Sequence, residues 1–141
     1  MIKLKLNTDC IRDVLLYLEE NLKIENRNFV SITLSVLQEN LSEYSAEDVF
    51  YTIYNLSEAQ FVDCKWGVIT SENYRHCDIS NITYRGHQFL ESVRPETIWQ
   101  KTKSVASKVG VHTLEFIESV AREVAVELAK QAFSLISSNP T

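Results

Sequence analysis

Apolar residues recur at steps of three and four along much of the chain, and this spacing predicts amphipathic helices. The first and clearest stripe consists of Ile11, Val14, Leu15, Leu18 and Leu22. A second, short stripe covers residues 36–41, and a third covers residues 49–59 behind Ser45, a residue type that caps helix starts. The first half of the chain is therefore predicted to contain three helices.

Between these helices apolar and polar residues alternate, which is the pattern of strands. Residues 29–34, 61–66 and 76–82 each show it, and the stretch 67–75 is predicted to be the tip of a wing. Residues 23–28 are polar and are predicted to form a loop. The order helix, strand, helix, helix, strand, wing, strand predicts an α+β, mostly helical fold. We interpret it as a winged helix-turn-helix with a small antiparallel wing sheet and additional C-terminal helices.

Three more helices are predicted beyond the wing. The fourth starts at Thr83 and stops before Pro95, because proline disfavours helical geometry in the residue that precedes it. A fifth helix follows, and a long one covers residues 112–137. The predicted division is a winged-helix domain over residues 1–94, a helical extension over residues 95–137 that packs on it or mediates self-association, and a frayed tail over residues 138–141.

The exit from the wing carries the most specific motif of the chain, Thr83-x-x-Gly86-His87-x-Phe89-Leu90, followed by Thr97-x-Trp99. Together with residues 44–51 it resembles an uncharacterised family of proteins from bacteria, prophages and phages, the domain of unknown function DUF2513. The resemblance extends over about residues 7–133 and implies a winged helix followed by further helices. It also implies an association with phages, and it brings no catalytic residue and no ligand.

Composition and cysteine usage bear on the compartment. No stretch approaches the length of a transmembrane helix, and residues 1–8 lack the apolar region of a signal peptide. We therefore expect a cytoplasmic protein without a membrane partner. Cys10, Cys64 and Cys77 form no Cys-x-x-Cys pair, which suits free thiols in a reducing compartment.

The formal net charge of −5 is unevenly distributed along the chain. Residues 45–64 contain no Lys or Arg, whereas residues 65–110 are rich in them. The third helix, which occupies the recognition-helix position of a winged helix, is therefore acidic, and each of its carboxylates would repel a close phosphate by about 1 kcal/mol. We predict that this helix binds a protein instead. The residues predicted for this contact are Glu47, Asp48, Tyr51, Asn55 and Glu58.

The alternative is a transcriptional regulator that binds DNA with the wing and its basic flank. Asn and Gln side chains hydrogen-bond base edges, and Lys and Arg contact phosphates. A complex with DNA that weakens steeply with salt would favour this alternative. The residues predicted for nucleic-acid contact are Asn55, Gln60, Lys65, Arg75, Arg85, Lys101 and Lys103.

The last helix carries a stripe close to a heptad repeat, with small residues that allow close approach of another helix. Two interpretations remain open. The helix pairs with that of a second copy and gives a homodimer, or it packs on the first helix of its own chain. The stripe consists of Leu114, Ile117, Ala121, Val124, Leu128 and Leu135.

Metal and catalytic chemistry have little support in the sequence. Cys64 and Cys77 lie on the strands that flank the wing and can come near each other, and with His76 they would suit zinc. The tight spacing of structural zinc sites is missing, so we predict no metal and no cofactor. We also predict that the chain is not an enzyme, because no nucleophile with an evident base is present. Tyr84 and Phe89 fall at helical spacing and are predicted to be core aromatics.

Overall fold

A computed structural model describes residues 4–69, 71 and 74–137 of the chain. These residues form an α+β fold that is mostly helical, which confirms the predicted class. The helices are α1 (Thr8–Asn21), α2 (Leu34–Asn40), α3 (Ala46–Glu58), α4 (Tyr84–Val93), α5 (Glu96–Val109) and α6 (Leu114–Ser137). The strands are β1 (Lys23–Glu25), β2 (Asn28–Val30), β3 (Ile32–Thr33), β4 (Val62–Ile69) and β5 (Tyr74–Ile82).

The chain divides into two compact units, Met1–Leu90 and Glu91–Thr141. The first contains α1 to α3, the five strands and most of α4, and the second contains α5 and α6. The division lies close to the boundary predicted between residues 94 and 95. Residues 138–141, predicted to be a frayed tail, lie outside the described residues.

A three-stranded antiparallel sheet organises the first unit, with its strands in the order β3, β5, β4. β4 and β5 pair along their whole length, with one irregularity between Asp63 and Cys64. Both strands extend into the stretch predicted as the wing tip. A strand pair that is exposed to solvent needs no alternation of apolar and polar residues. Val68 and Tyr74 are indeed exposed there. Residues 70, 72 and 73 of the tip lie outside the described residues.

A second, two-stranded sheet occupies the segment predicted as a loop. β1 and β2 form a hairpin in which Glu25 lies opposite Asn28. The two residues between them, Asn26 and Arg27, have positive φ angles of 50° and 65°, as in the turns that join tight hairpins. All six strand residues of the hairpin are exposed, so no buried face reveals them in the sequence. The strand predicted over residues 29–34 is consequently divided between β2 and β3, and α2 already begins at its last residue.

The apolar stripes of the first three helices supply most of the interior of the first unit. α1 and α2 pack on α3, and α3 packs on β4. All three helices begin at side-chain caps: Asn7 accepts a hydrogen bond from the Cys10 amide at 3.2 Å, Thr33 accepts one from the Val36 amide at 3.2 Å, and Ser45, as predicted, accepts one from the Asp48 amide at 3.1 Å. The fully buried apolar residues include Ile11, Val14, Leu15, Leu18, Leu37, Val49, Ile53, Leu56 and Ile79.

The second unit is a pair of packed helices. Gly110 ends α5 with a φ of 82°, the left-handed conformation that glycine adopts without strain, and Thr113 caps α6 by accepting a hydrogen bond from the Phe116 amide. α6 packs on α5. Their contact contains Ile98, Val105, Phe116, Val120, Val124, Ala125 and Leu128. Within the described residues, neither these helices nor any other is both long and apolar enough to cross a membrane.

Candidate functional site

The predicted wing-exit motif, residues 83–90, fixes the start of α4 to the turn that follows α3. The Thr83 hydroxyl donates a hydrogen bond to the Gln60 carbonyl at 2.6 Å and accepts one from the Gly86 amide at 3.0 Å. The Thr83 amide donates to the Phe61 carbonyl, also at 3.0 Å. Gln60 itself has a φ of 63°, which turns the chain from the helix into β4. One threonine therefore caps α4 and fixes it to the preceding turn.

Gly86 is required in this motif because the backbone of another segment lies against it. A Cβ atom at this position would overlap the Phe61 carbonyl oxygen and would lie 2.8 Å from Ile82 Cγ2. The Phe61 and Phe89 rings contact each other with centroids 5.3 Å apart. We call the set Gln60, Phe61, Thr83, Gly86 and Phe89 the α3–α4 junction. These contacts show that the most specific motif of the sequence determines the fold at this point.

Two neighbours of the junction lie at the start of α4, and one of them, Tyr84, departs from its prediction. Arg85, predicted to contact nucleic acid, donates a hydrogen bond to the Ala59 carbonyl at 3.3 Å and lies 5.1 Å from the centroid of the Phe61 ring. Tyr84, predicted to be a core residue, is 79% exposed, because the buried face of α4 consists of Gly86, Phe89, Leu90 and Val93 and position 84 lies off that face. Phe89 is buried as predicted.

The residues predicted for protein binding on α3 lie on two sides of the helix. Asp48 accepts a hydrogen bond from the Asn7 side chain at 3.4 Å, beside the start of α1, and is half-buried. Asn55, two turns later on the same side, is half-buried and donates to the Tyr51 carbonyl at 2.8 Å. Neither side chain points straight outward. Which side of α3 faces solvent depends on where α1 packs, and the sequence pattern of α3 does not show where that is.

The side of α3 turned away from the core forms a continuous surface. Its four members are spaced at i, i+4, i+7 and i+11, which places them on one line along the helix. Two glutamates at the ends are exposed, and two tyrosines between them are half-buried. We call this set, Glu47, Tyr51, Tyr54 and Glu58, the outer ridge.

An aromatic cluster supports the outer ridge from the side of the sheet. The Trp66 ring on β4 contacts Phe50 and Tyr54 edge to face, with centroids 5.8 and 5.9 Å away. The Trp66 indole also donates a hydrogen bond to Ser57 at 3.3 Å. These residues were not predicted as part of a site. The aromatic pair one turn apart on α3 is visible in the sequence, but its partner on β4 is not.

A groove of about 390 Å³ lies beside the start of the outer ridge. Glu47 and Phe50 line one part of it, and Arg75 and His76 of β5 line another. Arg75 therefore belongs to the surroundings of the acidic ridge. Among the described residues, no three His, Cys, Asp or Glu side chains lie where they could hold a metal ion together.

The residues predicted for nucleic-acid contact do not form one patch on the β4–β5 strand pair. Lys65 lies opposite Asp78, and Arg75 lies opposite Val68, on strands whose side chains alternate between faces. Lys65 and Arg75 therefore point from opposite faces of the sheet. Gln60 is exposed but belongs to the turn at the junction.

The remaining lysines of the predicted nucleic-acid set belong to the second unit. Lys101 is exposed, and the half-buried Lys103 has its ammonium 5.8 Å from the centroid of the Trp99 ring. Lys103 thus has an aromatic neighbour within its own helix.

The residues predicted for self-association on α6 divide into a buried and an exposed group. Leu114, Ile117, Ala121 and Val124 are buried within the chain, so a second copy cannot reach them in this conformation. Leu128 is half-buried, and Leu135 is 70% exposed. The predicted stripe is continuous in sequence, but α5 is shorter than α6 and covers only its first part.

Two ionisable side chains have shifted pKa values on the inner side of α3. Burial raises the pKa of the Cys10 thiol to about 11, and this thiol donates a hydrogen bond to the Asp48 carbonyl at 4.0 Å. Burial, together with a short hydrogen bond to the Asp13 carboxylate, also raises the pKa of Tyr44. Both shifts favour the protonated side chain where α1 meets the segment leading into α3.

Comparison with known proteins agrees with the motif at the junction. The model of a family described as a hypothetical protein, DUF2513, matches residues 5–112, which is most of the 141-residue chain. The chain belongs to this family. An uncharacterised protein of Haemophilus influenzae is 25% identical over 126 residues, which cover 89% of this chain and 98% of the relative. No solved structure matches the chain. The match confirms the resemblance to this family over residues 5–112, and neither the family description nor the relative states a function.

Proposed function

We propose that this DUF2513 chain is a winged-helix protein that catalyses no reaction and acts by binding a partner protein through the outer ridge. The partner surface is basic. The observation that carries this proposal is the composition of the ridge: exposed glutamates flank two tyrosines, and α3 contains no Lys or Arg.

The sheet topology supports the winged-helix assignment. A winged helix has two helices between its first and second strands, and its third strand lies between the other two. The order β3, β5, β4, with α2 and α3 between β3 and β4, fits that description. The β1–β2 hairpin is then an addition, and α3 takes the recognition-helix position. The resemblance of the wing-exit motif to phage and prophage proteins favours a related origin.

Electrostatics favours a protein over DNA as the partner of α3. A helix placed in the major groove lies close to phosphates, and each exposed carboxylate would repel a near phosphate by about 1 kcal/mol. Glu47 and Glu58 stand at the two ends of the ridge, about 16 Å apart along the helix axis, so a helix lying lengthwise would meet repulsion at both ends. Basic side chains on a partner protein would instead be attracted at both ends.

The aromatic residues supply the apolar part of such an interface. Tyrosine and tryptophan are enriched in protein interfaces, where they contribute most of the binding energy. Tyr51 and Tyr54 occupy the middle of the ridge, and Tyr54 is held by its contact with Trp66. A tyrosine ring also attracts the ammonium or guanidinium group of a basic partner.

The test is capture of bacterial proteins by the immobilised chain, followed by identification of the retained proteins. We expect a basic protein that the wild type binds and that Glu47→Lys/Glu58→Lys loses by at least about tenfold in affinity. The matched control is Glu115→Lys/Glu123→Lys, which makes the same charge change at two exposed positions of α6.

Loss of the partner in both double variants would attribute binding to net charge and not to the ridge. Retention in both would contradict the proposal. Repeating the capture with Tyr51→Ala separates charge from aromatic contact, because this substitution leaves both glutamates in place.

A DNA-binding regulator remains the second candidate, because the same topology occurs in DNA-binding proteins and Lys65 and Arg75 are exposed on the wing sheet. Titration of duplex DNA at two salt concentrations distinguishes the candidates. A complex whose affinity falls steeply with salt, and is weakened by Lys65→Glu, would favour DNA binding. Absence of a complex at low salt would leave protein binding as the better proposal.

We also propose that α6 brings two copies together through its last turns, in place of the buried part of the predicted stripe. Phe133, Leu135 and Ile136 are each at least 70% exposed there. Light scattering should show a dimer that Phe133→Ser/Ile136→Ser converts to a monomer, and a dimer unaffected by this change would contradict the assignment. We propose a cytoplasmic location, which the three free thiols, Cys10, Cys64 and Cys77, support because thiols persist in a reducing compartment.

A further inference from the structure

Cys64 and Cys77 lie on neighbouring strands of the wing sheet with their side chains on the same face. Trp66 is directly opposite Cys77, and Cys64 is two residues from Trp66 along β4. The two thiols are therefore diagonal neighbours across the strand pair, and they hydrogen-bond to each other.

Ser57 provides a second hydrogen bond to the Cys64 sulfur. The Ser57 oxygen accepts a hydrogen bond from the Trp66 indole at 3.3 Å, which leaves the hydroxyl hydrogen of Ser57 to be donated to Cys64. The sulfur thus has donors on two sides, one from Ser57 and one from Cys77. Both lower the pKa of Cys64, against the opposing effects of burial and of Asp63, while the pKa of Cys77 is raised.

The two thiols differ in their access to solvent. Cys77 is buried with 1% exposure, whereas Cys64 is half-buried and lines an open groove of about 590 Å³. Asp63 and Arg85 line the same groove, so charges of both signs lie beside the space through which a reagent reaches Cys64. A small oxidant in the groove therefore meets Cys64 first and finds the second thiol behind it.

We propose that Cys64 and Cys77 form a reactive dithiol site, which a hydroperoxide oxidises to an intramolecular disulfide. Cys64 is the thiol attacked first, and Cys77 is the thiol that resolves the product. This site is separate from the outer ridge and does not depend on the function proposed for it.

The reaction balances with a hydroperoxide as the oxidant. The Cys64 thiolate attacks the terminal peroxide oxygen, an S–O bond forms and the O–O bond breaks, so the sulfur loses two electrons and becomes a sulfenic acid. The other oxygen leaves as alkoxide or hydroxide, takes up the proton that the Cys64 thiol released on ionising, and becomes an alcohol or water. The Cys77 sulfur then attacks the Cys64 sulfur. An S–S bond forms, the S–O bond breaks, and the departing hydroxide takes the Cys77 proton and leaves as water.

Closing the disulfide requires the Cβ atoms to approach to about 4 Å, which is closer than diagonal neighbours usually lie. The irregularity in strand pairing between Asp63 and Cys64 stands at the residue that has to move. Such irregularities interrupt the regular ladder and redirect a side chain. The required shift therefore falls where the strand pairing is already irregular.

The test treats the reduced full-length chain with a small excess of hydrogen peroxide and then alkylates the remaining thiols under denaturing conditions. We expect one alkylated cysteine, Cys10, and a peptide cross-link between Cys64 and Cys77. In Cys77→Ser we expect a sulfenic acid at Cys64 that dimedone traps. In the untreated protein, Cys64 should react with iodoacetamide at least about tenfold faster than Cys10.

Cys10→Ser is the matched control, because it removes a buried thiol outside the pair and should leave the cross-link intact. Circular dichroism checks that each variant is folded, and Cys77→Ala provides a second variant if serine is not tolerated at this buried position. Equal alkylation rates at Cys64 and Cys10 would overturn the proposal. So would peroxide-treated protein in which Cys64 and Cys77 remain unlinked, or are linked only between molecules.

Discussion

The α3–α4 junction and the outer ridge belong to one stretch of chain but are under different constraints. In the junction, Thr83 is held by hydrogen bonds on both sides, and Gly86 leaves no room for a larger residue. On the ridge, Glu47 and Glu58 are exposed, and packing does not determine the residue type at either position. The motif that identifies the family is therefore a folding motif, and the residues proposed to bind a partner lie where the fold leaves the choice open.

The largest effect on stability is expected from Gly86→Ala. The added methyl group meets backbone that cannot turn away, so the free energy of unfolding should fall by about 3 kcal/mol in urea denaturation. Gly110→Ala is the control: that position has open space around it but a φ of 82°, so its loss should be about 1 kcal/mol. If the two variants lose the same stability, close packing at Gly86 does not distinguish the junction.

A smaller loss is expected from Thr83→Ala, which removes the cap of α4 and the bond to the Gln60 carbonyl. Loss of such a cap typically lowers the free energy of unfolding by about 1–2 kcal/mol. Thr83→Ser keeps the hydroxyl and should retain most of the stability in the same urea titration. An equally unstable serine variant would mean that the methyl group, and not the two hydrogen bonds, holds the junction.

The inner side of α3 offers a test through pH. Because the pKa of Cys10 is raised in the folded chain from 9.0 to about 11, its contribution is fully present below pH 9 and is lost as the pH rises toward 11. The free energy of unfolding should fall over this range, and less steeply in Cys10→Ala. Tyr44, whose pKa is also raised, adds to the fall above pH 10 in both proteins. Identical pH profiles for the two proteins would argue against a buried, protonated thiol beside α3.

The smallest effect on stability is expected on the ridge itself. Glu58→Lys replaces an exposed acid at the C-terminal end of α3, where a positive charge suits the helix dipole, so the free energy of unfolding should change by less than about 0.5 kcal/mol. Binding of the captured partner should nevertheless weaken. A strongly destabilised Glu58→Lys would show that the ridge, like the junction, is part of the fold, and would remove the contrast between them.

The sequence was sufficient for the elements with a buried face and a recognisable cap. The stripe of α1 and the cap at Ser45 follow from local spacing and hydrogen bonding, and both are present. The β1–β2 hairpin was missed because none of its residues is buried and because Arg27, which has a positive φ, is not a residue type that signals such a turn.

The candidate site could be predicted only in part. The apolar pattern of α3 identifies its inner face but not the elements packed beside it. It therefore does not separate Asp48, which hydrogen-bonds to Asn7 at the start of α1, from the exposed Glu47. The contact of Trp66 with Phe50 could not be predicted from the sequence, because it depends on how β4 packs against α3. On α6 the stripe itself was correct, but the length of it that α5 covers depends on tertiary packing.

Trp66 gives the molecule its own optical reporter. Its indole ring contacts Tyr54 of the outer ridge, and its N–H group bonds to Ser57, the neighbour of Cys64. Indole emission depends on hydrogen bonding and on nearby polar groups, whereas the other tryptophan, Trp99, is buried in the second unit. A change in the intrinsic fluorescence of Trp66 would therefore report both the proposed binding at the outer ridge and the proposed oxidation of Cys64 in the unlabelled protein.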